Sequence, residues 1–186
     1  MIYVFLADGF EETEALVPID ILRRGGFEVQ TVGVTGKTVT GSHGIQVVCD
    51  IIESQASEEN LSCVVLPGGM PGTVNLEKSA TVRRFVSFAF EKNLVIGAIC
   101  AAPSVLGHMG LLKGKRATCF PGFEKELSDA ILTDSPAVCD GNIITAWGAG
   151  GAFEFGLSLV KTLTDEKTAA ALAENMKYPF FGTYTR

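Results

Sequence analysis

Continuous apolar runs of strand length alternate along the chain with segments of helical periodicity. Ile2–Leu6, Cys63–Leu66 and residues 94–99 are almost entirely apolar, which is typical of strands covered on both faces. Residues 11–24 and 79–91 carry apolar side chains at helical spacing. This alternation predicts a mostly parallel sheet between two layers of helices. The fold class is therefore α/β.

The other predicted elements continue the same pattern. A hairpin is indicated over residues 39–48, where Gly41-Ser42-His43-Gly44 separates two β-branched runs. No repeat, low-complexity block or linker interrupts the chain, so we expect a single domain over residues 1–186. The remaining predictions are strands at 27–34, 116–119, 137–139 and 143–146, and helices at 101–109, 152–163 and 166–176.

The charge balance and the scarcity of metal ligands exclude several classes of function. Fifteen basic against 21 acidic residues give a net charge of −6, which disfavours a nucleic-acid partner. The five cysteines are scattered without a C-x-x-C pair, and only two histidines are present, so neither a disulfide framework nor a metal site is expected. No apolar run is long enough for a signal peptide or a membrane span. We expect a cytoplasmic protein with no membrane partner.

In a parallel α/β sheet, ligands bind beyond the carboxyl ends of the strands, and Cys100 stands at such an end. The helix predicted to follow it would lower the pKa of the thiol and favour a nucleophilic thiolate. The alternative is an ordinary buried cysteine that packs as a small hydrophobic residue. That second interpretation is favoured for the four cysteines in or beside apolar strands, which are Cys49, Cys63, Cys119 and Cys139.

Two other segments follow predicted strands. Pro67-Gly68-Gly69 offers bare backbone N–H groups that could hold an oxyanion, although the same sequence is common in plain turns. Gly148-Ala149-Gly150-Gly151 could likewise cradle an anion or simply allow close packing at a helix start.

Three carboxylates, Glu11, Glu12 and Glu14, crowd the first turn of the first helix. Glu11 and Glu12 are interpreted as solvated charges that stabilise the helix dipole. Glu14 precedes apolar residues and is the candidate inward-facing member.

Neither histidine is a good partner for Cys100. His43 lies at the predicted hairpin tip, and His108 lies about 12 Å farther along the helix that follows Cys100. A Cys–His dyad within the chain is therefore poorly supported.

Several motifs together resemble the ThiJ/PfpI superfamily, most closely the branch of the Parkinsonism-associated protein deglycase. The resemblance covers nearly the whole chain. The motifs are Gly9-Phe10-Glu11-Glu12-Thr13-Glu14, Pro18-Ile19-Asp20-Ile21-Leu22-Arg23-Arg24-Gly25, Leu66-Pro67-Gly68-Gly69, Ala98-Ile99-Cys100-Ala101-Ala102-Pro103, Cys119-Phe120-Pro121-Gly122 and Phe153-Glu154-Phe155.

The resemblance implies a flavodoxin-like three-layer sandwich with a particular set of site residues. Cys100 would be a nucleophilic, oxidation-sensitive elbow cysteine, and Glu14 the carboxylic acid hydrogen-bonded to it. Gly69 and Ala101 would supply backbone N–H groups to the sulfur or to an oxyanion. It further implies a homodimer, with Arg23–Arg24 and the His43 hairpin near its interface.

The implied function is a cofactor-free glyoxalase or deglycase-like activity on methylglyoxal and related α-oxoaldehydes. The alternative is an oxidative-stress sensor or chaperone that uses oxidisable Cys100. Ala101 stands where the protease branch has histidine, so intracellular protease activity is not expected. Phe120 stands where the human protein of the branch has histidine, so acid–base chemistry at that position is lost and must come from Glu14.

Overall fold

The computed structural model describes residues 1–179 and Phe181. In chain order its strands are β1 (Ile2–Leu6), β2 (Val29–Gly33), β3 (Thr38–Thr40), β4 (Gln46–Val48), β5 (Ile51–Ile52), β6 (Cys63–Leu66), β7 (Val95–Ile99), β8 (Arg116–Ala117), β9 (Ile131–Leu132), β10 (Ala137–Asp140) and β11 (Ile143–Ala146). The helices are α1 (Glu12–Arg24), α2 (Gly72–Lys78), α3 (Ala80–Glu91), α4 (Pro103–His108), α5 (Ala152–Leu163) and α6 (Glu166–Asn175).

Seven strands form the central sheet in the order β10-β11-β7-β6-β1-β2-β5. β1 pairs in parallel with β2 and β6, β6 with β7, and β7 with β11. The antiparallel pair at one edge is β10 with β11, which a tight turn connects. The mostly parallel sheet predicted from the sequence is confirmed.

Alternate residues of β1 show why both faces of the sheet are covered. Val4 and Leu6 belong to one core cluster together with Phe155 of α5. Tyr3 and Phe5 point to the opposite cluster, where each ring centroid lies 5.5 Å from that of Phe85 in α3. A strand buried on both faces must be apolar at every position, which explains the continuous run.

The order of the strands brings three chain segments to one place. β6 lies between β1 and β7, and the chain moves outward from this centre in opposite directions, through β2 on one side and β7 on the other. The crevice at such a switch point is the usual ligand site of an open α/β sheet. The segments that follow β1, β6 and β7 meet there.

The structure adds short elements to the predicted pattern and shifts some boundaries. The hairpin is confirmed as β3 paired with β4. α2, β5 and β9 were not predicted, and the helix expected from residue 101 begins at Pro103. Within the described part of the chain, no helix is long and apolar enough to cross a membrane.

Candidate active site

Cys100 occupies a sharp turn between β7 and α4. Its backbone N–H donates to the carbonyl of Ala146 in β11, with N and O 2.8 Å apart. Its φ of +66° lies in the left-handed region, which residues with a side chain rarely adopt. Such local strain is common where a nucleophile is raised above a sheet. The residue is half-buried.

Glu14 is held against the thiol by backbone donors from two other loops. Its own N–H donates to the side chain of Glu11 at the helix start, over 2.7 Å. Its buried carboxyl accepts from the N–H of Gly68, over 3.0 Å, and from the N–H of Ala149. It also shares a hydrogen bond with the Cys100 thiol. The structure thus places the two predicted side chains in direct contact.

Position 68, in the turn after β6, must be glycine because the backbone there passes so close to Cys100 and Glu14. A Cβ atom on Gly68 would lie 2.5 Å from Cβ of Cys100 and 2.6 Å from Oε2 of Glu14. Gly69 has a φ of +91°, and its N–H, like that of Ala101, donates to the Cys100 sulfur. These are the two backbone groups named from the resemblance.

Two donors to Glu14 were missed by the sequence analysis. In the sequence Gly68 and Ala149 are only members of glycine-rich turns, which could bind an anion or serve as ordinary turns. The groups that bind Glu14 are backbone N–H groups, which every residue except proline carries. No residue type therefore marks them in the sequence.

Burial gives the pair unusual protonation behaviour. It raises the pKa of Glu14 to about 7, and the negative charge of Glu11 adds to this rise. Burial, followed by the charge of an ionised Glu14, raises the pKa of Cys100 to about 12, although the Gly69 and Ala101 N–H groups lower it. Two adjacent anions repel each other, so the pair carries one negative charge near neutral pH.

The sequence predicted that the following helix would lower the pKa of Cys100, and this is wrong because burial and then Glu14 raise it. α4 begins three residues after Cys100 and has only six residues, so its dipole is weak at the sulfur. Burial and the neighbouring carboxylate outweigh it. A thiolate at neutral pH requires that Glu14 keep the proton.

Phe120 lies against the same site. Its N–H donates to the carbonyl of Cys100 over 2.8 Å. A Cβ atom built on Gly148 would lie 3.1 Å from Cδ2 of Phe120 and 3.8 Å from Oε1 of Glu14. The ring therefore borders the acid without offering a proton.

Glu12 is a correction to the sequence analysis, because it is buried and not a solvated charge. Its carboxyl accepts from the backbone N–H of His43, over 2.8 Å, and contacts Nδ1 of His43, at 2.9 Å. Burial raises the pKa of Glu12, but these hydrogen bonds and one from Ile45 lower it to about 2. Glu11, Glu12 and His43 have ligand-type atoms within 4.8 Å of one another, and their tethering of the hairpin accounts for the cluster without a metal ion.

The other predicted residues lie away from the pair or in the core. Cys49, Cys63 and Cys119 are buried, and Cys139 packs partly buried against the core. His108 faces Glu77 and Glu126, so it is no partner of Cys100. Two cavities, of about 380 and 500 Å³, are lined by neither Cys100 nor Glu14. The candidate site is therefore identified by the contact between Cys100 and Glu14 and not by the size of a cavity.

Comparison with known proteins gives consistent results. The model of the DJ-1/PfpI family matches residues 1–162. Protein dj-1beta of Drosophila melanogaster is 34% identical over 93% of this chain and 94% of its own length. The glutathione-independent glyoxalase DJR-1.2 of Caenorhabditis elegans is 32% identical over 87% of this chain and 88% of its own. Protein DJ-1 homolog B of Arabidopsis thaliana is 36% identical over 90% of this chain, which spans only 39% of that protein.

Solved structures show the same architecture. Oxidised DJ-1 of Toxoplasma gondii superimposes with a TM-score of 0.92 at 32% identity, covering 96% of this chain and 98% of its own. A DJ-1 superfamily protein of Salmonella typhimurium gives a TM-score of 0.90 at 38% identity, with the same coverage of both chains.

Proposed function

Because the chain belongs to the DJ-1/PfpI family, we propose that it is a cofactor-free enzyme in which Cys100 acts on methylglyoxal and related α-oxoaldehydes. The observation that carries this proposal is the hydrogen bond between the Cys100 thiol and the buried carboxyl of Glu14. A relative named as a glutathione-independent glyoxalase makes α-oxoaldehydes the first substrates to test.

The reaction begins with attack on the aldehyde. The carboxylate of Glu14 takes the proton of the Cys100 thiol as the sulfur forms a bond to the aldehyde carbon, and the carbonyl electrons move to oxygen. The N–H groups of Gly69 and Ala101, which donate to the sulfur at rest, lie where they can stabilise this oxyanion. Glu14 then gives its proton to the oxygen, and a hemithioacetal results.

The second half moves one proton between neighbouring carbons. The carboxylate of Glu14 takes the proton from the former aldehyde carbon and returns it to the ketone carbon through an enediol, while the hydroxyl proton of the hemithioacetal passes to the former ketone oxygen. The first carbon is then a thioester, which water hydrolyses to a hydroxy acid and the free thiol. Substrate and water give the hydroxy acid, so no redox cofactor is needed. In the deglycase-like case the sulfur would attack the carbon of a hemiaminal formed by the aldehyde and an amine, the C–N bond would break, and the amine would leave with the proton from Glu14, which gives the same hemithioacetal.

The test is a steady-state assay against a panel of α-oxoaldehydes. Cys100→Ser should lose turnover because a serine hydroxyl beside Glu14 is a far weaker nucleophile. Cys139→Ser is the matched control, since Cys139 is also partly buried against the same core but has Ser158 and Thr162 beside it in place of Glu14. Turnover that survives in Cys100→Ser would sink the proposal.

The second candidate is a redox sensor or chaperone that uses the same cysteine. Its support is that Cys100 is half-buried and faces N–H donors and Glu14, which could stabilise a sulfenic or sulfinic acid. Peroxide titration followed by peptide mass spectrometry tests it. Cys100 should oxidise before Cys63 and Cys139, and equal reactivity of the three would rule out sensing.

We also propose that the chain forms a homodimer, as DJ-1 family proteins commonly do. The surface near α1 supports this, because exposed apolar side chains lie on the hairpin that α1 holds. A cytoplasmic location fits the five cysteines, all of which are free.

A further inference from the structure

Two large apolar side chains are exposed beside the Cys100 site. Phe120 is 47% exposed, and its backbone N–H binds the carbonyl of Cys100. Met70 is 52% exposed and directly follows Gly69, whose N–H donates to the Cys100 sulfur. Apolar surface left in water beside a nucleophile is characteristic of a pocket that takes an apolar group.

The backbone of Phe120 is hydrogen-bonded on both sides, and its ring lies beside Gly148. Besides the bond to Cys100, the carbonyl of Phe120 accepts from the N–H of Phe123 over 3.1 Å. The ring also packs on Gly148, at a point where a Cβ atom would lie 3.1 Å from Cδ2 of Phe120 and 3.8 Å from Oε1 of Glu14. A substrate bound to Cys100 and protonated by Glu14 therefore meets an aromatic wall.

The two loops that carry these side chains have no charge. Their sequences are Pro67-Gly68-Gly69-Met70-Pro71 and Cys119-Phe120-Pro121-Gly122. A phosphorylated or otherwise ionic substituent would find no counter-charge on either loop and would lose its hydration. A neutral aryl group would instead bury its surface against the ring of Phe120.

We propose that Phe120 makes the site selective for α-oxoaldehydes with an aryl or bulky apolar substituent, with phenylglyoxal preferred over methylglyoxal. This inference rests on the proposed function and adds the substrate class. Phe120 acts through contact with the substituent and takes no part in proton transfer.

The first experiment compares kcat/KM for phenylglyoxal and methylglyoxal. The ratio should fall about tenfold in Phe120→Ala, because the aryl group loses its aromatic partner. Phe90→Ala is the matched control, since Phe90 is an exposed phenylalanine of α3, and its ratio should equal that of the wild type. An unchanged ratio in Phe120→Ala overturns the inference and leaves the proposed function intact.

The second experiment does not depend on turnover. Mandelamide and lactamide, neutral analogues of the two hydroxy-acid products, are tested for protection of Cys100 against alkylation by iodoacetamide. Mandelamide should protect at about tenfold lower concentration than lactamide, and Phe120→Ala should remove this difference. Equal protection in the wild type overturns the inference. If no α-oxoaldehyde is turned over, the proposed function fails while this measurement still decides the role of Phe120.

Discussion

At the scale of single residues, Cys100 and Glu14 share a hydrogen bond in a buried place, so the protonation of each depends on the other. The pair loses its first proton as the pH rises through about 7, the raised pKa of Glu14. That proton leaves Glu14, and burial, followed by the charge of Glu14, raises the pKa of Cys100 to about 12, so the alkylation rate of Cys100 by iodoacetamide should rise only at strongly alkaline pH. In Glu14→Gln burial still raises the pKa of the thiol, but the neutral amide removes the negative charge that adds to this rise, so the increase in alkylation should move to lower pH.

Mass spectrometry of the labelled peptides measures this rate across the pH range. Cys139 in the same sample is the internal control, because it does not contact Glu14 and its own rise should not move between the two proteins. The same midpoint for Cys100 in wild type and Glu14→Gln would show that the two groups titrate independently.

A methyl group at Gly68 should damage both stability and reactivity. Its Cβ would overlap Cβ of Cys100 and Oε2 of Glu14, and the Cβ atom of Cys100 cannot move without its backbone. We expect Gly68→Ala to lower the free energy of unfolding by about 1–3 kcal/mol. Urea denaturation measures the loss, and the alkylation rate at pH 7 reports the site.

The matched control is Gly150→Ala. Gly150 is exposed, and a Cβ atom there meets nothing within 4 Å. Its stability should therefore stay near that of the wild type. Equal effects of the two substitutions would contradict the steric argument.

At the scale of elements, His108 ties three segments together. It ends α4, and its Nδ1 lies 2.6 Å from Glu77 in α2, while its Nε2 lies 2.8 Å from Glu126 in the 3-10 segment Glu124–Leu127. Two carboxylates on two ring nitrogens require the doubly protonated imidazolium. The hydrogen bonds that His108 donates to Glu126 and then to Glu77 raise the pKa of His108.

Because the pKa of His108 is raised, its contribution to stability is fully present below 6.5, the pKa in the unfolded chain. That contribution disappears as the pH rises through the pKa in the folded protein. His108→Asn should therefore destabilise the protein more at pH 6 than at pH 9. Because the side chain is partly exposed, the difference should stay below about 1 kcal/mol for each ion pair. In a Glu77→Gln, Glu126→Gln background it should vanish, and a difference that persists there would locate the effect elsewhere.

The elements that were predicted from sequence are those with a local cause. β1 and β6 are apolar at every position, and α5 has a continuous helical pattern, so all three have the predicted boundaries. α2 has no side-chain cap and begins beside Pro71, where Gly72 packs on Gly9 and Phe10. Because that contact joins distant parts of the chain, no local signal marks α2.

The site residues also divide into those that the sequence reveals by residue type and those whose role depends on the folded chain. Cys100 and Glu14 could be named because a thiol at a strand end and a carboxylate before an apolar run are visible as residue types. The burial of Glu12 could not be named, because the hairpin that covers it lies some thirty residues away and approaches only in the folded chain. The direction in which the pKa of Cys100 shifts was missed because it depends on the burial of Cys100 and on its contact with Glu14.

At the scale of the whole molecule, α1 and the hairpin form one surface. Glu12 binds His43 at the hairpin turn, and Arg23 binds Asp50 just after β4, with Nη2 and Oδ2 2.7 Å apart. Val48 of β4 is 69% exposed on this surface. In a two-fold dimer the same patch is used by both subunits, so a charge placed there meets its own copy or is buried.

Val48→Glu should therefore shift the protein from dimer to monomer in sedimentation equilibrium, with a dissociation constant raised at least about tenfold. Phe90→Glu is the control, because Phe90 is 39% exposed on α3, which packs on the opposite face of the sheet from α1. It should leave the dimer intact. Cys100, Glu14, Gly69 and Ala101 belong to one chain, so monomeric Val48→Glu should keep the alkylation midpoint of Cys100 at the wild-type value. A dimer that resists Val48→Glu but separates with Phe90→Glu would place the interface on the α3 layer.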